Sequence, residues 1–167
     1  MDARTLAWID QQRAQQVDTI RRYGWAIQYV GGDACGAPGC PGEESDLAPF
    51  AYTIGLFGLG HPELLIVGVD VDTARTVLNA VGNRIVEGAD LVPGELIELE
   101  EWPRPIVPEV VPNAGEVLLG ANGFYDRPPE FSVPALQLTY ADEAGAFPWD
   151  DGYAESDRQP RPGTFAA

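Results

Sequence analysis

One histidine, two cysteines and a handful of hydroxyls make up the reactive side chains of this sequence. His61 is the single imidazole and sits in Gly60-His61-Pro62-Glu63, a turn-forming string that leads into an apolar run. An imidazole titrates near neutral pH, so His61 can serve as general base, general acid or metal ligand. Glu63, two residues on, can orient it or act beside it, and the two are the predicted catalytic pair. The competing expectation is a turn residue whose ring hydrogen-bonds the backbone while Pro62 fixes the bend. Tyr52 and Thr53 fall on opposite faces of a strand, and either can line a pocket next to His61. Trp149, in Phe147-Pro148-Trp149-Asp150-Asp151, can close that pocket by stacking on a ligand, or clamp the C-terminal segment onto the core. Cys35 and Cys40 are separated by Gly-Ala-Pro-Gly and offer half a metal site, with His61 as a third ligand and an acid as a fourth. Zinc sites show two such pairs or a pair plus two histidines, so no metal is expected and free thiols are the simpler reading. Gly55, Gly58 and Gly60 do not have the spacing of a dinucleotide fingerprint, and no cofactor is named by the sequence.

These residues need elements to hold them. Leu6, Ile9, Arg13, Val17 and Ile20 recur at three- and four-residue intervals, which predicts a helix over 5–22 with Gly24 as its stop. Strands are predicted at 25–30, 50–56 and 63–69. The last is almost continuously apolar and therefore central. A helix follows, capped by Asp72 or Thr73 and ended by Gly88. Two shorter strands are expected at 96–99 and 106–111, the second framed by prolines and suited to a sheet edge. A short helix at 113–124 and a last strand at 134–140 complete the order. Residues 31–48 read as a long Gly/Pro/acidic loop, and 154–167 as a polar, flexible tail. Helix, three strands, helix, two strands, short helix and strand do not alternate as βαβ units. The fold class is therefore α+β: one domain over 1–153, with a mostly antiparallel or mixed sheet of five to six strands and two or three helices.

Composition bounds the function. The 167 residues carry ten arginines, no lysine and 26 acids, for a net charge of -16. Such a chain repels nucleic-acid phosphates and anionic lipid, so neither nucleic acid nor membrane is an expected partner. No segment is long and apolar enough to span a bilayer. The first residues lack a signal peptide's pattern, which gives a cytoplasmic expectation.

The most distinctive words are Gly24-Trp25-Ala26, Pro49-Phe50-Ala51-Tyr52-Thr53-Ile54-Gly55-Leu56 and Gly60-His61-Pro62-Glu63-Leu64, followed by Leu78-Asn79, Phe147-Pro148-Trp149 and Gly152-Tyr153. Together, over residues 20–153, they resemble the bacterial family called domain of unknown function 4262. The resemblance implies a small bacterial cytoplasmic domain and carries no activity or catalytic residues. The residues themselves leave two functions open. One is a small-molecule-binding domain with acid–base chemistry at His61 and a pocket walled by Tyr52, Thr53, Glu63 and Trp149. The other is a non-enzymatic module that binds a protein partner through its acidic surface. Oligomeric state is not readable.

Overall fold

The structure is a computed structural model and describes residues 2–31 and 48–167. The expected 31–48 loop therefore falls almost wholly outside the described residues, and Cys35 and Cys40 with it. Helix α1 spans Ala3–Tyr23, starts on an Asp2 side-chain cap and ends at Gly24, whose φ of 96° is left-handed. Strands β1 (Ala26–Val30), β2 (Phe50–Ile54) and β3 (Glu63–Val67) form an antiparallel meander. Helix α2 (Val71–Val86) follows. Its cap is Asp70, which accepts from the Thr73 N–H, and not the expected Asp72 or Thr73. Then come β4 (Ile106–Val110), α3 (Ala114–Val117), α4 (Leu119–Phe124) and β5 (Ala135–Tyr140).

The sheet order is β1-β2-β3-β5-β4. All pairs are antiparallel except β3 and β5, which run parallel, so the sheet is mixed and the domain α+β. β3 is central and β4 is an edge, as the apolar run and the prolines predict. Two expectations need correction. Residues 96–99 form no strand and make only the isolated bridge Ile97–Ile106. In that antiparallel register Pro108 stands opposite Glu95 and has no N–H to donate, while Glu98 and Leu99 fall opposite Pro105 and Arg104 in a proline-framed stretch, so the ladder stops on both sides. The expected helix at 113–124 is two, broken at Leu118, whose ψ of 55° is non-helical.

Side-chain alternation sorts the core into two layers. Ala51, Leu64, Ile66, Leu136 and Leu138 meet Ala74, Val77, Leu78 and Val81 of α2. Phe50, Tyr52, Leu65 and Val67 meet Val117, Leu118 and Ala121 of α3 and α4. With both faces covered, β2, β3 and β5 are buried along their whole length. The segment after Tyr153, expected to be loose, returns across the sheet. Gln159 is buried, donates to the Tyr140 carbonyl and accepts from the Tyr140 N–H, both at 2.8 Å, while Phe165 packs on Phe50. Among the described residues no helix is long and apolar enough to cross a membrane.

Candidate functional site

The turn between β2 and β3 brings Thr53 and Glu63 together. Glu63 is fully buried. Its Oε2 accepts from the Thr53 hydroxyl at 2.6 Å and the Leu56 N–H at 3.2 Å, and its Oε1 accepts from Gly55 N–H at 2.8 Å and Phe57 N–H at 3.1 Å. The Thr53 oxygen in turn accepts from the Leu64 N–H at 2.9 Å. Burial pushes the Glu63 carboxyl above the usual carboxylate range, and these four donors pull it partly back. The donors converge because the chain folds tightly at Gly55, where a Cβ would stand 2.5 Å from the Gly24 carbonyl oxygen and 2.7 Å from Trp25 Cα. Tyr125 closes the other side, its hydroxyl accepting from Gly58 N–H at 3.2 Å. Its phenol is pushed up by burial first and by the Glu63 charge second.

His61 stands one residue from this knot without joining it. Its N–H donates to the Leu56 carbonyl at 3.0 Å, and its Nδ1 lies 2.7 Å from the Pro62 carbonyl. A carbonyl only accepts, so Nδ1 carries the proton in that contact. His61 shares no hydrogen bond with Glu63, Tyr52, Thr53 or Trp149 among the described residues. Tyr52 points into the opposite layer, where its hydroxyl accepts from Gly120 N–H at 2.9 Å. Trp149 is 44% exposed, stacks on Phe147 at 4.9 Å and lies under the Arg161 guanidinium, which pairs with Glu109 of β4. Of the five residues expected to share a pocket, only Thr53 and Glu63 meet. Among the described residues no three metal-ligating side chains cluster.

A cleft of about 610 Å³ does form on the α2 side of β1, between α2 and the C-terminal end of α1. Its apolar wall is Tyr23, Trp25, Ile27, Tyr29 and Val71, and its polar wall is Arg75, Asn79 and Asn83. Trp25 fixes this geometry. Its indole N–H donates to Asn79 Oδ1 at 3.0 Å, and its ring comes close to α2 because residue 82 is glycine: a Cβ there would stand 2.7 Å from the ring. Indole is only a donor, so Asn79 must turn its oxygen to Trp25 and its amide N–H groups away. Residues 75, 79 and 83 are one helical turn apart, so all three face the same way. That spacing of polar residues beside the apolar stripe of α2 is the signal that could have found this cleft in the sequence.

Two other clefts differ in chemistry. One of about 790 Å³ lies at the carboxyl ends of β3 and β5, with rings from Tyr29, Trp102 and Tyr140. It carries both signs of charge: Arg104, Arg158, Asp70 and Asp157. Arg104 is already held by Glu155 at 2.8 Å and Glu143 at 3.7 Å. The other, of about 470 Å³, lies between α1, β1 and α4 and is lined chiefly by the amides of Gln12, Gln15, Gln16 and Gln28. His61 lines none of the three.

The architecture is that of a small α+β protein built on a mixed five-stranded sheet. The chain belongs to the family described as Domain of unknown function (DUF4262), whose model matches residues 19–154. No curated protein and no solved structure matches it.

Proposed function

We propose that this domain binds a small molecule, seated in the cleft between α1, β1 and α2. The observation that supports this is the lining: mostly apolar and aromatic walls with three polar residues from one face of α2 and Thr19 from α1. That is the usual make-up of a ligand pocket, in which the apolar walls supply affinity and a few polar groups fix orientation. The reading is one of binding, with no chemical step assigned to His61, because His61 lines none of the three clefts described above and Glu63 already accepts four hydrogen bonds. Native mass spectrometry of protein freshly purified from its own host tests it beside Asn83→Trp, which fills the cleft from an exposed helix position. A retained small molecule in the wild type, absent in the variant, is the expected result. Equal retention in both would place the ligand elsewhere. A bare mass in both would favour a protein-interaction module instead, for which the exposed Leu6, Trp8 and Ile9 of α1 are the natural contact.

A further inference from the structure

We infer that the cleft between α1, β1 and α2 selects a small organic anion: a carboxylate carried on a flat apolar body. The inference rests on the reading of this cleft as a ligand site. Its first support is charge. The chain has 26 acids to ten arginines, yet among the described residues the only charged one lining the cleft is Arg75. Among the described residues Arg75 has no ion-pair partner within salt-bridge distance, a state it shares with Arg4, Arg21, Arg84, Arg127 and Arg158, but of these six it alone lines this cleft. On its own helix the acids of the first turn are Asp70, the cap, and Asp72, three residues before Arg75 and without an ion pair to it. Asp70 is engaged in capping that helix and lines the neighbouring cleft, beyond Tyr29.

The second support is the sense of the hydrogen bonds. The Trp25 indole takes the Asn79 oxygen, which leaves the Asn79 amide N–H groups as the donors of a residue that lines the cleft one helical turn from Arg75. Both are donors, and the group that satisfies both at once is an anionic oxygen pair. The third is shape. Trp25, Ile27 and Tyr29 present apolar surface along β1, and the exposed Tyr23 ring and Val71 complete the mouth. A flat hydrocarbon or aromatic body fits that slot. The net charge of the whole molecule opposes an approaching anion, but that field is screened over a Debye length of about 8 Å at physiological salt. A guanidinium in direct contact is not screened in that way.

Isothermal titration with three probes of one shape settles it: 2-naphthoate, 2-naphthamide and 2-naphthylmethylammonium. The expected order is naphthoate tightest and the ammonium weakest. Arg75→Gln should weaken naphthoate by about tenfold or more, the scale of a lost charge-assisted hydrogen bond, and leave naphthamide nearly unchanged. Arg75 is exposed and makes no ion pair among the described residues, so the variant keeps the fold, and an unchanged melting temperature verifies this. Binding of all three probes with equal affinity, lost in Asn83→Trp but indifferent to Arg75→Gln, would overturn the anion preference and leave the ligand site standing. No binding of any probe to the wild type would overturn both.

Discussion

Thr53 carries two hydrogen bonds through one oxygen: it donates to Glu63 and accepts from Leu64 N–H. Thr53→Val keeps the shape and removes both, leaving a buried N–H unpaired and the carboxylate one donor short. The expected cost is about 2 kcal/mol, read from urea denaturation. Its pH dependence has a definite sign. Burial already raises the folded carboxyl of Glu63, and losing a donor to its ionised form raises it further in the variant. A raised folded pKa stabilises the fold below the ordinary carboxylate pKa, and that contribution is lost as pH rises. The deficit of Thr53→Val should therefore be smaller near pH 4 than near pH 7; a deficit constant across that range would exclude ionisation of Glu63 from the effect. Sequence reasoning joins Glu63 to His61 because the two are close along the chain. What it cannot show is that the backbone N–H groups of Gly55, Leu56 and Phe57 turn inward and claim the carboxylate first.

At the scale of elements, α2 is held to β1 through one ring. Gly82→Ala replaces the poorest non-proline helix former with the best, a gain of about 1 kcal/mol in an open helix. The added methyl would meet the Trp25 ring at 2.7 Å, in a layer that also contains Val81 and Leu78. Displacing the ring sacrifices the Asn79 hydrogen bond and buried aromatic surface, so the clash outweighs the propensity. A net loss of about 1–3 kcal/mol is expected, with a change in tryptophan emission; stabilisation would mean that Trp25 moves aside freely. Much at this scale is legible in the sequence. The apolar stripe of α2 and the run Leu64 to Val67 announce a helix and a central strand by period alone. Trp25 and Asn79 stand out as distinctive words too, but only the fold shows that one donates to the other. The break at Leu118 was hidden because the apolar pattern continues across it.

The whole molecule depends on its last residues. Gln159 pairs with both backbone groups of Tyr140 and with the Tyr153 hydroxyl, and the Ala167 N–H reaches the Glu116 carbonyl at 2.9 Å. The Arg158 carbonyl oxygen lies so close to Gly68 that a Cβ there would stand 2.1 Å away. Deleting residues 154–167 should lower stability by about 3 kcal/mol, or roughly 6–12 °C in melting temperature for a domain of this size. An unchanged melting temperature would show these contacts to be incidental. Polar composition with two prolines reads as a tail because a sequence records what a residue prefers and not the partner waiting for it. Gln159 is buried only because an otherwise unpaired end of β5 needs both a donor and an acceptor.

The parallel pairing of β3 with β5 also sets a timetable. The partners Glu63 and Ala135 are 72 positions apart, against only 13 for Tyr52 and Leu65 in the hairpin before them. As the chain leaves the ribosome, β1, β2, β3 and α2 can assemble at once. One flank of the most apolar strand then stays uncovered until residues 135–140 have emerged, because β5 must slot between β3 and β4. At a synthesis rate of roughly 5–20 residues per second that interval lasts seconds, long enough for a chaperone, or a neighbouring nascent chain, to find the open flank first.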